Sequence, residues 1–346
     1  MRALQLVAPG KIEVRDVDVP QIASDEVLVK VAGAGLCHSD LHVMHAPIDR
    51  PPLTLGHETS GWVESVGGEV DGFAQGDPVL VYLVWACGDC RSCREGRDNS
   101  CERAGGRSSL VPCPGLGPDG GMAEYIKVKA RYLEPLGTLD PVTAGPLADA
   151  ALTSHHAIAG AQHRLGAGTT AVVIGLGGLG HVGLQILKAI SPARIVAVDV
   201  QQAKLDLAAS HGADHTFLAD DTTAAKILDL TDGYGADAVF DFTGVQPTVD
   251  LAISCIAPDG ALRFVGLGGG SFTYGALPWS NLPWGVDLRK SYAGGRQDQR
   301  AVIELAAAGK ISVETKLYDL EDGPTAFHDL EAGNLLGRAV LVPNLG

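Results

Sequence analysis

The sequence predicts an α/β protein of two domains, a β-rich, barrel-like one and a doubly wound parallel sheet. Three observations carry that prediction. The chain has 346 residues, more than one hydrophobic core usually organises. Its texture changes on passing from residue 147 to residue 170: short apolar runs broken by Gly and Pro every few residues give way to strand-length and helix-length runs in alternation. Forty-five glycines against 5% aromatic residues fit a glycine-punctuated α/β fold better than an aromatic-rich sandwich.

The elements follow in order. Runs such as 26–31 and 61–66 read as strands, and no long helix is expected before residue 148. From Thr170 the reading is strand 171–174, helix 180–190, strand 195–199, helix 202–211, strand 238–242 and strand 261–266. Strands and helices alternating at those lengths predict a parallel sheet. Residues 300–308 read as a helix and 338–342 as a closing strand.

Composition narrows the function classes. The apolar share is 46%, the charged share 19% and the mean hydropathy +0.14, which describes a chain able to build large cores. A net charge of −15 repels phosphate backbones and anionic lipid, so nucleic acid and membrane surfaces are not expected partners. Residues 1–16 lack the apolar region and cleavage site of a signal peptide, and a cytoplasmic location is expected. The most apolar stretch, 170–190, contains five glycines, His181 and Lys188, and reads as strand, turn and helix rather than a membrane span.

Cys87, Cys90, Cys93 and Cys101 follow the spacing C-x2-C-x2-C-x7-C in a loop rich in Gly, Asp and Arg. Four thiolates on one short loop can enclose Zn²⁺ tetrahedrally and leave no position for substrate, so this site is expected to be structural. The Cys-Pro ending typical of an iron–sulfur run is absent. Cys113 and Cys255 lie outside the run and read as ordinary thiols.

A second constellation is more dispersed. The segment Gly35-Leu-Cys-His-Ser-Asp-Leu-His42 is followed by Gly56-His-Glu58. A catalytic zinc takes three protein ligands and keeps one position open; Cys37 and His57 supply two, and the third must come from elsewhere in the chain. Further on, Gly175-x-Gly177-x-x-Gly180, with Gly178 inside the turn, follows an apolar strand and opens a helix. Such a turn lets a pyrophosphate approach amide groups at a helix N-terminus. Asp199 ends the next strand, where its carboxylate would accept the ribose hydroxyls and repel a 2′-phosphate, which favours NAD over NADP; capping of the following helix is the other reading of the same residue.

These motifs, in this order and up to the closing Gly337-Arg-Ala-Val-Leu-Val342, resemble the zinc-dependent medium-chain alcohol dehydrogenases, with the bacterial secondary-alcohol enzymes as the nearest likeness. The resemblance implies a GroES-like catalytic domain, residues 1–148 completed by 290–346, and a Rossmann domain, residues 149–289. It places the third catalytic ligand at Asp149, where many members carry Cys; a carboxylate brings the same single charge as a thiolate, so Cys37, His57 and Asp149 together balance Zn²⁺. Glu58 is the alternative ligand, with His155 and His156 as further competitors. Ser39 and His42 correspond to the proton relay and Asp40 to the carboxylate that orients His57. His38 and Arg338 correspond to pyrophosphate contacts, and Lys204 to a second ribose contact.

The implied activity is reversible hydride transfer between a secondary or hydrophobic alcohol and NAD, giving ketone or aldehyde, with one catalytic and one structural zinc per chain. A polyol or glutathione-adduct dehydrogenase of the same fold is the alternative, and a non-catalytic zinc-loop binding protein a more distant one. A small-molecule alcohol or ketone is the expected substrate, and a homo-oligomer, dimer or homotetramer, the expected assembly. Trp85 and Leu116 fall near positions that line the family's substrate pocket, although Trp85 is equally suited to packing.

Overall fold

A computed structural model describes residues 1–46, 51–107, 109–277 and 281–343. The chain divides into two units, one made of residues 1–152, 293–309 and 313–346, the other of 153–292 with 310–312.

The first unit is built on a seven-stranded sheet. Six strands run in the order Thr315–Asp319, Arg338–Val342, Glu26–Leu36, Glu58–Val66, Pro78–Val81 and Leu133–Pro135, and Tyr125–Lys129 also pairs with Glu26–Leu36. Its core is aliphatic, with Val27, Val29, Val63, Val79 and Leu341 almost wholly buried. The central strand is longer than the apolar run 26–31 indicates, because Gly33 and Gly35 read as breaks in sequence and are not. They permit close approach instead: a Cβ on Gly33 would lie 2.2 Å from the Val142 carbonyl oxygen, and one on Gly35 would lie 2.0 Å from Glu58 Oε2. The strand therefore continues to Leu36 and delivers Cys37 at its end.

Register assembles the site. In antiparallel pairing Gly35 faces Glu58 and Ala339 faces Leu36. Cys37, His57 and Arg338, each one residue beyond a paired position, are thereby brought together from three distant stretches of chain.

The second unit carries a six-stranded parallel sheet, in the order His215–Leu218, Arg194–Asp199, Thr170–Ile174, Ala236–Asp241, Ile256–Phe264 and Asp287–Lys290. The neighbours of Thr170–Ile174 lie on opposite sides, one reached directly in sequence and one after a crossover, which makes the end of that strand a switch point where such sheets bind ligands. Val172, Val196, Val239 and Leu262 are fully buried, as continuous apolar strands covered on both faces must be. The strand expected at 261–266 begins earlier, at Ile256, and the helix expected at 300–308 runs from Arg296 to Ala307 in the first unit, opened by Gly295 and an Asp298 side chain that accepts the Gly295 amide at 2.9 Å. The two edge strands and the helices Thr223–Leu230 and Gln246–Cys255 are additional to the elements expected from sequence.

Candidate active site and metal centres

The described residues contain two groups able to hold a metal ion: Cys87, Cys90, Cys93 and Cys101, and Cys37, His57 and Asp149. In the first, Cys90 Sγ lies 3.4 Å from Cys93 Sγ and 3.9 Å from Cys101 Sγ, and Cys87 Sγ lies 3.9 Å from Cys93 Sγ. Thiolates set tetrahedrally about 2.3 Å from a central ion are ~3.8 Å apart, so the spacing fits zinc. The backbone amides of Cys87 and Ala104 each point at Cys101 Sγ from 3.4 Å. Backbone hydrogen bonds at Cys93 and Glu102 pull the Cys90 thiol down to about 6. Amide donors aimed at sulfur favour thiolates, the form a metal binds.

The second group is buried. Asp149 Oδ2 lies 3.4 Å from Cys37 Sγ and 3.4 Å from His57 Nε2. Mixed S, N and O ligands of one tetrahedral zinc are about 3.3–3.6 Å apart, so this set fits as well. One carboxylate orients two of the three candidate ligands. Asp40, the third residue of the helix His38–His45 and wholly buried, accepts the Cys37 amide on Oδ2 at 2.9 Å and faces His57 Nδ1 with Oδ1 at 3.2 Å. That contact leaves Nε2 of His57 for a cation. Burial works against a charged His57, but the Asp40 carboxylate and hydrogen bonds to Asp149, Asp40 and Cys37 outweigh it and hold the imidazole well above its usual range. The surroundings of His57 are thus prepared for positive charge.

Glu58 stands behind this set. Its Oε1 accepts Arg338 Nη2 at 2.8 Å and the Ala150 amide at 3.1 Å, while Oε2 has no hydrogen-bond partner among the described residues. Arg338, buried, reaches to 3.8 Å from Asp149 Oδ2. Burial pushes the Glu58 carboxyl up, to about 7, against the pull of the Arg338 guanidinium. This pairing is not legible in the sequence, where Glu58 reads as the alternative ligand and Arg338 as a pyrophosphate contact, and nothing links two residues 280 positions apart. The Cys113 thiol is buried too and pushed upward by that burial, in keeping with an ordinary thiol.

Asp149 itself follows the 3₁₀ turn Gly145–Ala148, which packs so tightly on the strand Glu58–Val66 that a Cβ on Gly145 would meet the Glu58 carbonyl oxygen at 2.5 Å. Gln299 Nε2 donates to the Leu147 carbonyl at 3.0 Å and holds the turn from its other side. Ser39, half-buried, has Oγ 3.7 Å from Cys37 Sγ, and His42 stands one helical turn further on, exposed. His38 is exposed at the start of the same helix. Trp85 stacks on Tyr132 with ring centroids 5.4 Å apart and donates Nε1 to the Tyr82 carbonyl at 3.1 Å, which is packing.

In the second unit the glycine turn is built for a close visitor. Gly175 has φ +83°, and a Cβ on it would lie 2.1 Å from Thr243 Oγ1; one on Gly180 would lie 1.8 Å from the Gly175 carbonyl oxygen. A Cβ on Gly177 would meet nothing within 4 Å, so that glycine faces open space, as a phosphate cradle must. Gly178 completes the turn ahead of the helix Gly180–Ile190. Asp199 Oδ2 accepts the Leu176 amide at 2.7 Å and Oδ1 the Gln201 amide at 2.9 Å, so its carboxylate fixes the glycine turn and the residue just before the next helix, which has no side-chain cap. Lys204 lies half-buried in the first turn of that helix, Gln202–Ser210.

Comparison with known proteins gives a consistent picture. Residues 23–138 match the family described as the alcohol dehydrogenase GroES-like domain, and residues 178–308 match the family described as zinc-binding dehydrogenase. The chain is 36% identical to an NAD-dependent alcohol dehydrogenase of Sulfurisphaera tokodaii, over 99% of this chain and 100% of that one. It is 35% identical to a D-arabinose 1-dehydrogenase (NADP(+)) of Saccharolobus solfataricus, over 96% of this chain and 94% of that one. Among solved structures, the alcohol dehydrogenase of the hyperthermophilic archaeon Aeropyrum pernix superposes with a TM-score of 0.89 at 35% identity, covering 99% of this chain and 100% of that one.

Proposed function

This chain belongs to the zinc-dependent medium-chain alcohol dehydrogenase family, and from that premise we propose that it oxidises an alcohol to a ketone or aldehyde, reversibly, with NAD as hydride acceptor. The observation that carries the reading is the convergence of Cys37 Sγ, His57 Nε2 and Asp149 Oδ2 in one buried group, with Asp40 behind two of them. A zinc ion held by Cys37, His57 and Asp149 would act there as a Lewis acid that makes a substrate hydroxyl more acidic.

The chain's own residues do the rest. The single charges of Cys37 and Asp149 balance a divalent ion, and Asp40 keeps both Cys37 and His57 aimed at it. Asp149 serves as ligand, since Arg338 and the Ala150 amide engage Glu58. Ser39 Oγ accepts the substrate's hydroxyl proton as its own hydroxyl proton moves on toward His42, which, a turn away and exposed, releases a proton to water. The amides of the turn at Gly175, Gly177, Gly178 and Gly180 receive the dinucleotide's pyrophosphate, while the buried Arg338 is held by Glu58. Asp199 accepts the adenosine ribose hydroxyls, with Lys204 as a second contact, and its charge selects NAD over NADP.

Two zinc ions per chain complete the enzyme, the four-cysteine loop holding the structural one. Copies of the chain associate: the edge strand Asp287–Lys290 and the exposed Trp284 and Tyr274 support a dimer, or a tetramer built from it. The protein works in the cytoplasm; among the described residues no helix is long and apolar enough to cross a membrane. The substrate is a secondary or hydrophobic alcohol. Initial rates with primary alcohols, secondary alcohols, aldoses and a glutathione adduct, each with NAD and NADP, test the reading. Secondary alcohols with NAD should give the highest kcat/KM, and an aldose with NADP in that place would contradict it.

A further inference from the structure

Asp149 stands at a junction. With φ −129° and ψ −61° it separates the 3₁₀ turn Gly145–Ala148 from the helix Ala150–Ala159. Carbonyls that close a helical turn and amides that open a helix lack partners within their own element, so other groups must hold them. Here a buried side chain holds each flank of Asp149. Glu58 Oε1 accepts the Ala150 amide at 3.1 Å, and Gln299 Nε2 donates to the Leu147 carbonyl at 3.0 Å. Glu58 is itself tied to Arg338 at 2.8 Å, whereas the neutral Gln299 acts on the turn through its Nε2 donor.

Gln299 comes from an element that carries none of the candidate ligands. It lies on the helix Arg296–Ala307, wholly buried, with Val302 buried three positions further on. The start of that helix is pinned. A Cβ on Gly295 would lie 2.2 Å from the Gly96 carbonyl oxygen, the Arg296 amide donates to Asp98 at 3.2 Å, and the Tyr82 hydroxyl donates to the Gly294 carbonyl at 2.9 Å. Gln299, one helical turn on, is thereby delivered to a set position.

Packing does not account for a glutamine there. Its Oε1 is buried with no hydrogen-bond partner among the described residues, a cost that methionine or leucine would not carry. The reverse orientation of the amide would set two oxygens face to face, so what the residue contributes is the N–H donor aimed at Leu147.

We propose that Gln299 is a positioning residue of the metal centre: by holding the Leu147 carbonyl it sets where the Asp149 carboxylate lies relative to Cys37 and His57. This rests on the reading of Asp149 as a ligand. Asp149 Oδ2 must meet two partners at once, at 3.4 Å from Cys37 Sγ and 3.4 Å from His57 Nε2. A turn held on one flank only would let the carboxylate swing toward Arg338, which already stands 3.8 Å away.

The test is zinc competition with a chelating dye on the full-length, zinc-loaded enzyme, with NADH affinity, melting temperature and circular dichroism followed on the same preparations. Gln299→Met removes the donor together with the orphaned oxygen, so the fold, the loop zinc and NADH affinity should hold. Its affinity for the catalytic zinc should fall ~10-fold, with kcat lowered. Gln299→Leu should behave alike and guards against a defect peculiar to methionine. Val302→Ala thins the same helix without removing a donor, and should lower the melting temperature while leaving catalytic zinc affinity unchanged. Asp149→Ala separates the proposal from the reading it rests on: full zinc retention there ends both, whereas zinc loss there with unchanged affinity in Gln299→Met ends the positioning role alone. Equal weakening by Gln299→Met and Val302→Ala, or loss of the fold or of the loop zinc in both Gln299 variants, would make Gln299 a packing residue and overturn the proposal as well.

Discussion

The two cysteine-bearing clusters of the first unit are made in opposite ways. Cys87, Cys90, Cys93 and Cys101 lie on one loop, and the chain needs only local turns to bring their sulfurs within 3.9 Å of one another where contacts are made. Cys37, His57 and Asp149 lie on three segments, and only the register of a sheet plus a packed 3₁₀ turn unites them. The loop cluster is closed, made of four like ligands, and braced by backbone amides. The other is mixed, holds only three ligands, and is surrounded by charged side chains that have partners of their own. We propose that the cluster built from the loop supports the fold and that the cluster built by the fold carries the chemistry.

That contrast can be broken by substitution. The largest effect is expected from Cys101→Ser. Structural zinc sites of this kind contribute on the order of 10 kcal/mol to folding, so the variant should lose folded, soluble protein, measured by circular dichroism and yield, while whatever folds keeps its kcat. Asp149→Ala should do the reverse. The fold and NADH affinity should persist, one metal ion per chain should be lost from the group it shares with Cys37 and His57, and turnover should fall ~1,000-fold, the equivalent of several kcal/mol of lost Lewis-acid stabilisation. Zinc analysis of Glu58→Ala completes the comparison, because a Glu58 ligand would move the metal loss to that variant and leave Asp149→Ala nearly silent.

Smaller effects sharpen the same division. Asp40→Asn keeps the shape but weakens the acceptor that orients His57, and catalytic zinc affinity should drop about 10–100-fold by competition with a chelating dye, with the loop zinc untouched. The smallest change is expected in the second unit. Asp199→Gly with Gln201→Arg removes a repulsive carboxylate and adds a phosphate partner, and should shift the NAD-to-NADP ratio of kcat/KM about tenfold toward NADP. Because Asp199 also holds the Leu176 amide, part of that shift should come as weaker NAD binding.

How far each region could be read in sequence follows the same physics. The four-cysteine loop is legible because its ligands sit within fifteen positions and spacing alone sets their geometry. Cys37 and His57 are half legible, since each motif is short, and Asp149 becomes visible only through family resemblance. The Glu58–Arg338 pair is illegible, because it exists only once Gly35 faces Glu58 and Ala339 faces Leu36. Gly33 and Gly35 mislead for a related reason: a glycine that lets another chain approach looks, in sequence, like one that ends a strand. Alternating strands and helices reveal the parallel sheet through its buried centre, whereas the edge strands His215–Leu218 and Asp287–Lys290 are four residues each with at most two apolar side chains and leave no long apolar run to detect.

The division of labour between the two clusters is tested most directly by timed chelation of the zinc-loaded enzyme, following zinc content, alcohol oxidation and circular dichroism in the same sample. The open three-ligand site should release its ion first, with activity lost in step and the spectrum unchanged, and the four-thiolate ion should leave later together with the fold. A fully active enzyme that holds a single zinc per chain, or loss of both ions and the fold in one step with the activity, would contradict the account.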